Sequence, residues 1–262
     1  MSRGPEIIPV ISANVLAGGI GRSRTEKRFD PILELLAAHR PAALGIQEAL
    51  WWDEDDCALL HRAEHILGMR GVLAIEPTGM HVALFIGAPL TLLRSRPITG
   101  TPWRHGALRV QAGLPDGQII TFGSAHLSPR SPVQRLAETQ QITTWWDPVD
   151  LTVIMGDFQE GDADTDLSGV RPAIRARLAL PGTDVPDTRC ADHLAEAGFI
   201  DLGARPAQPR LPTAGHGRDI ETRCDRIYAS PGAAAVAGPV EVIDPGELSD
   251  HRWLTTSLTV IG

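Results

Sequence analysis

Lysine is all but missing from this chain: among 262 residues, 24 are basic and only Lys27 is a lysine. Against 32 acidic residues the formal charge is −8, so no global positive field exists to hold a long polyanion through many phosphate contacts. A local basic groove or a bound metal stays open as a route to phosphate. Cysteine is scarce too. Cys57, Cys190 and Cys224 are odd in number and form no CxxC pair, which excludes a full disulfide framework, argues against a zinc site and leaves reduced, buried thiols. The longest apolar run, His81 to Leu93, contains Pro89 and falls short of the roughly 20 residues that span a bilayer. The amino terminus, Met1-Ser2-Arg3-Gly4-Pro5-Glu6, leads into an apolar run interrupted by Pro9, too short for a signal-peptide core. These absences predict a soluble cytoplasmic protein without a membrane span, and no feature calls for an obligate protein partner.

What the chain does have is a hydrophobic content of 43%, enough at this length to bury a substantial core and to suit one two-sheet domain over residues 1–262. Ile7 to Asn14 is β-branched and apolar before the Gly18-Gly19-Ile20-Gly21 turn, and reads as a buried strand delivering Asn14 to its C-terminal end. Phe29 to His39 has helical apolar spacing with Pro31 in its first turn, and Ala42 to Gln47 is a strand that leaves Glu48 at its end. A helix over Asp55 to Leu67 and strands over Gly71 to Glu76 and His81 to Gly87 follow. Arg109 to Leu114 and Gln118 to Ala125 form a hairpin around Pro115-Asp116-Gly117, ending at His126. Beyond it come a helix over Ser131 to Trp146 with Pro132 at its start, a strand over Leu151 to Met155, and a helix over Cys190 to Ala197 stopped by Gly198. Strands over Cys224 to Ala229, Glu241 to Ile243 and Trp253 to Val260 close the chain. Glu160 to Thr188 and Arg205 to Arg223 read as long loops, the kind of segment that carries function. The mixture predicts an α/β protein containing antiparallel pairs.

Five short motifs fall at or beside these strand ends: Gln47-Glu48, Ala125-His126-Leu127, Gly156-Asp157-Phe158-Gln159, Cys224-Asp225-Arg226-Ile227 and Ser249-Asp250-His251. With Asn14 ahead of them, and in this order, they resemble the endonuclease/exonuclease/phosphatase superfamily of deoxyribonuclease I-like enzymes. The likeness runs from Asn14 to His251. It implies a four-layer α/β/β/α sandwich, helices outside two packed mixed sheets, and hydrolysis of phosphoesters with a divalent metal.

Under that resemblance Glu48 and Asp250 match the metal-binding carboxylates, and Asn14 matches an amide near metal and phosphate that joins the ligand set. Mg2+ needs few protein oxygens, and Mn2+ fits the same ones; zinc is disfavoured because no His and Cys cluster at metal spacing is present. His251 matches the histidine facing the scissile phosphate, and Asp225 the aspartate orienting it, a pairing that raises the imidazole pKa and fixes its tautomer. A salt bridge from Asp225 to Arg223 or Arg226 is the structural alternative. His126 matches a histidine for phosphate contact or acid catalysis. The strand that supplies its acidic partner in the deoxyribonuclease-like branch reads Gly79-Met80-His81-Val82 here, which leaves Glu76 as the nearest candidate. Asp157 matches the aspartate that activates or positions the attacking water, alone or with a second metal. Gln159 departs from the family's Asn, and its extra methylene displaces the amide by about an ångström, a shift on a scale that costs roughly 100-fold in rate.

Trp51 and Trp52 follow Glu48 directly, and Trp103-Arg104-His105 precedes the hairpin. Aromatics near an active edge either stack on a base or apolar ligand or pack into the core. Trp52 is an expected substrate contact; Arg104 resembles approximately a phosphate-contacting arginine of the deoxyribonuclease-like branch, with Arg109 the alternative, while His39, His61, His65, His193 and His216 are expected at the surface. Three functions compete: a metal-dependent phosphoesterase acting on a small or medium-sized phosphorylated compound, a DNA or RNA endonuclease, and a noncatalytic or repurposed member of the fold.

Overall fold

Side-chain alternation along the strands sets the architecture. The computed structural model describes residues 4–145, 150–206, 208–216 and 220–261; the expected helix end at Trp146, and parts of the expected loop from Arg205 to Arg223, lie outside them. The first half of the chain forms β1 (Pro5–Asn14), α1 (Phe29–Ala38), β2 (Ala43–Gln47), α2 (Glu54–Leu67), β3 (Arg70–Ala74), β4 (Val82–Ile86), β5 (Thr91–Ile98), β6 (Ala107–Gly113) and β7 (Ile119–His126). The second forms α3 (Pro132–Ile142), β8 (Leu151–Asp157), α4 (Pro172–Leu178), α5 (Arg189–Glu196), β9 (Ile200–Asp201), β10 (Asp225–Ala229), α6 (Pro231–Val236), β11 (Glu241–Ile243) and β12 (Trp253–Ile261).

These strands make two six-stranded sheets, ordered β11-β12-β1-β2-β4-β3 and β5-β6-β7-β8-β10-β9. In each sheet the central neighbours are parallel, β1 with β2 and β7 with β8, and the other pairings are antiparallel. A parallel pair requires a crossover, usually a helix; α1 supplies the first and α3 the second. The buried positions of α1, Phe29, Ile32, Leu33 and Leu36, form one helical stripe. At the start of α3 the Ser131 hydroxyl accepts from Gln134 N at 3.2 Å ahead of Pro132, a cap followed by a residue with no amide to satisfy.

Alternation then sorts the core into layers. Ile8 and Val10 of β1 meet Phe122 of β7, Val153 and Met155 of β8 and Ile227 of β10 between the sheets. Ile11 and Ala13 face outward beneath α1 and α2, while Ala125 and Ile154 face outward beneath α3 and α5. The result is the four-layer α/β/β/α sandwich expected from the resemblance. Among the described residues no helix is long and apolar enough to cross a membrane.

Several elements carry no signal that a sequence pattern registers. Strand β5 exposes Arg94, Ser95, Arg96 and Pro97 in succession, so alternation is lost; charge and proline suit its place at a sheet edge, where they discourage further pairing. Helix α4, inside the expected loop from Glu160 to Thr188, has no fully buried residue.

Trp52 requires a correction. It is not at a substrate surface but 1% exposed, edge-on to Phe29 and Phe85 at ring separations of 5.5 and 6.2 Å, with its indole N–H donating to Gly18 O at 3.1 Å. Trp52→Ala is expected to cost about 3–5 kcal/mol, read as a lower urea midpoint. An unchanged midpoint would contradict its place in the core.

Candidate active site

The two parallel pairs decide where polar side chains gather. At the carboxyl end of the first, Asn14 lies opposite Gln47; at that of the second, His126 lies opposite Asp157. Strand β10 begins at the same end, with Asp225 opposite Asp157. Counting by twos from the inter-sheet core residues puts Asn14, Gln47, His126, Asp157 and Asp225 all on inner faces. The carboxyl ends of parallel strands are where ligands collect in α/β proteins, and here two such ends face one another. They touch: Asn14 Nδ2 donates to Asp157 Oδ2 at 3.1 Å, and Gln47 Nε2 to Ser124 Oγ at 3.2 Å. Gly45 of β2 makes the approach possible, since a Cβ there would stand 2.7 Å from the Met155 side chain and 3.0 Å from Ser124 Oγ across the sheets.

Glu48 follows β2 in a left-handed conformation, φ 62°. Its Oε2 accepts from Ala17 N at 2.8 Å and its Oε1 from Asn14 Nδ2 at 3.3 Å. The amide oxygen of Asn14 accepts from Leu16 N at 3.1 Å. Asn14 therefore turns its nitrogen, which has no lone pair for a cation, toward the carboxylates; the expectation that it ligates a metal gives way to one in which it spaces Glu48 from Asp157. Its backbone carbonyl accepts from Ser249 Oγ at 2.7 Å and Trp253 Nε1 at 3.0 Å, fixing the segment that carries Asp250 and His251. Arg28 adds a second tie. Its guanidinium donates to Leu248 O at 2.6 Å and Leu16 O at 2.8 Å; burial lowers its pKa while nearby Asp250 and Glu48 oppose that shift.

His251 Nδ1 is 2.8 Å from Asp225 Oδ2. Burial alone would lower this imidazole, but the charge of Asp225 overrides it and holds the pKa well above its ordinary value. The alternative partners of Asp225 are occupied elsewhere: Arg223 pairs with Asp162 at 2.7 Å and Asp201 at 2.8 Å, and Arg226 with Asp201 at 2.9 Å. His251 Nε2 and His126 Nε2 approach the same Asp157 Oδ2, at 3.9 and 3.7 Å. Neither ring nitrogen of His126 has a hydrogen-bond partner among the described residues. Glu76 is not that partner, since its Oε1 accepts from Gly100 N at 3.0 Å.

The neighbour of His126 is instead His105, stacked on it with ring centroids 4.4 Å apart and accepting or donating through Nδ1 to Thr78 Oγ1 at 3.0 Å. Burial, with His126, Arg104 and Arg130 nearby, pushes His105 down to about 2. Glu138 of α3 secures both flanking loops, accepting from Arg104 N at 2.9 Å and Ser128 N at 2.7 Å. No motif drew attention to Arg28 or Glu138, and His105 was noted only within Trp103-Arg104-His105, without a role of its own. Arg104 remains beside the site through His105, whereas Arg109 alternates with inward-facing Leu108 and Val110 and so lies on the outer face. The expectation of Arg109 as a phosphate contact is thereby corrected.

Gln159, with φ 54°, folds back on Asp157: its backbone N–H donates to Oδ1 at 3.0 Å and its amide Nε2 to Oδ2 at 2.6 Å. The extra methylene is absorbed in this return. Asp157, Cys224 and His251 bring ligand atoms within 4.8 Å of one another, a softer set than Glu48 and Asp250. Burial raises the Cys224 thiol, as do Asp157 and Asp225, and His251 Nδ1 is engaged by Asp225, so this set does not offer a thiolate site. Glu48, Asp250, His251 and Gln159 instead border one cleft of about 280 Å³.

The neutral state of His105 has a sign in stability. Its folded pKa of about 2 lies below the ordinary 6.5, so its contribution is full above 6.5 and is lost as pH falls, when only the unfolded chain takes the proton. Between pH 7 and 5 this group is expected to cost roughly 2 kcal/mol. Urea unfolding of the parent and His105→Gln at both pH values measures it: the variant should lose less stability on acidification, and equal losses would show that folded His105 binds a proton.

The model of the endonuclease/exonuclease/phosphatase family matches residues 11–251. No curated protein matches the chain. Among solved structures, D. rerio TDP2 humanized by 14 mutations superposes with a TM-score of 0.69 at 16% identity, covering 97% of this chain and 99% of that one. An endonuclease/exonuclease/phosphatase from Beutenbergia cavernae gives 0.71 at 15%, covering 98% and 72%. The human Nocturnin catalytic domain with bound sulfate gives 0.61 at 20%, covering 98% and 94%. These likenesses concern the fold, and the family match extends from β1 to His251: the chain belongs to the endonuclease/exonuclease/phosphatase family.

Proposed function

We propose that this protein is a divalent-metal-dependent phosphoesterase. Members of its family are in general phosphoester hydrolases that use a divalent metal. The observation that carries the reading is the convergence of His251 and His126 on Asp157 Oδ2 beside a cleft bordered by Glu48 and Asp250. Two carboxylates are hard oxygen donors of the kind Mg2+ and Mn2+ accept. With Asp157 they outnumber the charge that Arg28 supplies, so the residues present fit a dication. Glu48 and Asp250 would hold it; when bound, such an ion neutralises a nonbridging phosphate oxygen.

The remaining work belongs to side chains. Asn14 orients Glu48 and Asp157 through one amide nitrogen. Asp157, held by Gln159, positions the attacking water. His251, kept charged by Asp225, places its Nε2 proton against the negative charge that develops on the phosphoryl oxygens, the electrostatic stabilisation that is usually the largest catalytic contribution. His126, with an unpaired Nε2, contacts phosphate or protonates the leaving oxygen. Arg104 lies beside this pair and is the remaining substrate contact. The acidic composition supports a small or medium-sized substrate. An endonuclease is the second reading, supported by a fold shared with D. rerio TDP2 complexed with single-strand DNA product, TM-score 0.67 at 15% identity.

Incubation with a chromogenic phosphodiester and supercoiled plasmid, each with Mg2+, Mn2+ or chelator, tests both. We expect metal-dependent cleavage of the chromogen, and a loss of roughly 1000-fold in Asp157→Ala; plasmid nicking lost in the same variant would establish the nuclease, and metal-independent turnover would overturn the proposal. Arg28→Lys, which keeps the charge but not the forked bonds to two carbonyls, is expected to weaken Mn2+ binding about 10-fold by calorimetry. Unaltered affinity would remove Arg28 from the support of the metal carboxylates.

A further inference from the structure

The floor of the cleft is polar, but its wall is not. Helix α4 turns Ile174 and Leu178 into it, one helical turn apart and therefore on one face, and Ile220 and Pro129 complete the apolar lining. The two helix residues are half-buried in a helix that has no fully buried residue, so they are not core side chains. Apolar positions that border a cleft beside catalytic carboxylates, while serving no core, have a ligand group as their natural complement.

This wall is built in place. Buried Arg135 of α3 reaches across to α4 and donates from Nη2 to Arg177 O at 2.6 Å, and Leu178 O accepts from Asp187 N at 2.8 Å. On the facing side, Ala214 and Thr222 exchange backbone hydrogen bonds at 3.0 Å in both directions. Gly215 lies so close to Ile220 that a Cβ would stand 2.0 Å from Ile220 O. Neither side needs to close on a substrate to exist. At about 280 Å³ the cleft lies just below the usual range of ligand pockets, about 300 to 1,000 Å³, with room for a phosphoryl group and one ring-sized substituent.

Resting on the phosphoesterase reading above, we propose that the substrate is a phosphoester of a compact apolar or aromatic alcohol, its organic group held against Ile174, Leu178 and Ile220. A sugar or polyol of the same size would set hydroxyls against Ile174, Leu178 and Ile220, which cannot hydrogen-bond them, at a cost. Arg177, exposed on the same helix, also borders the cleft.

Binding of nonhydrolysable phosphonates to the Mn2+-loaded full chain, followed by calorimetry, separates these classes. Cyclohexylphosphonate is expected to bind about 10 to 100 times more tightly than methylphosphonate, as burial of a ring's apolar surface predicts, and more tightly than the same ring bearing hydroxyls. Ile174→Ser with Leu178→Ser should reduce the gap between cyclohexyl and methyl probes to about three-fold. Ile220→Ser, on the opposite wall, gives a second route to the same result should the helix variant melt early. Equal affinity for cyclohexyl and methyl probes, or preference for the hydroxylated ring, overturns the assignment even where metal-dependent hydrolysis is observed. Absence of both phosphonate binding and hydrolysis strikes the phosphoesterase reading itself and this inference with it.

Discussion

The hydrogen bond from Asn14 to Asp157 joins the two sheets at their functional end, and the rest of the site depends on what makes it possible. Over most of their length the inner faces exclude water with Ile8, Val10, Phe122, Val153 and Met155. At the carboxyl ends of the parallel pairs the same alternation delivers Asn14, Gln47, Ser124, His126 and Asp157 instead. Polar groups buried this deeply must satisfy one another or a ligand. Gln47 does so with Ser124 and Asn14 with Asp157, while His126 finds no hydrogen-bond partner among the described residues. Sheet packing and site geometry are one constraint, since moving either sheet would break both.

Around His251, buried charge is distributed so that each aspartate has a specific counterpart. Arg223 and Arg226 are taken by Asp162 and Asp201, which leaves Asp225 to His251. Unpaired, His251 would be pushed down by burial; paired, it stays charged well above its ordinary range. His105, stacked on His126, is the reverse case, held neutral by burial and by cationic neighbours. Two histidines of one site thus differ in charge because of what surrounds them. A formal charge of −8 carries no information about either.

The order of the motifs was legible because most of them sit at the end of a strand marked by a strong apolar run. Ile7 to Asn14, Ala42 to Gln47 and the hairpin ending at His126 reveal strand ends, and those ends form most of the site. Where such a run is missing, legibility stops. Strand β5 offers exposed arginines and proline at a sheet edge, and α4 buries no residue fully, so neither differs from a loop by pattern. Trp52 and Arg109 show a second limit. Proximity to Glu48 suggested substrate contact for Trp52 and an approximate family match suggested it for Arg109, but a turn and a single step of alternation suffice to send a side chain into a core or onto the opposite face.

By itself, then, the sequence determined which residues end the central strands and what chemistry they bring: hard carboxylates, two histidines and an amide. Those properties are local, set by residue type and by periodicity along a few neighbours. Only the tertiary structure decided that Asp225 serves His251 and not an arginine, that Asn14 offers nitrogen rather than oxygen, that Arg28 and His105 belong to the site, and that α4 walls it with Ile174 and Leu178. Each of these depends on distances between segments far apart in the chain, and neither composition nor spacing encodes which of several chemically equivalent partners will lie within reach when two sheets close on a common core.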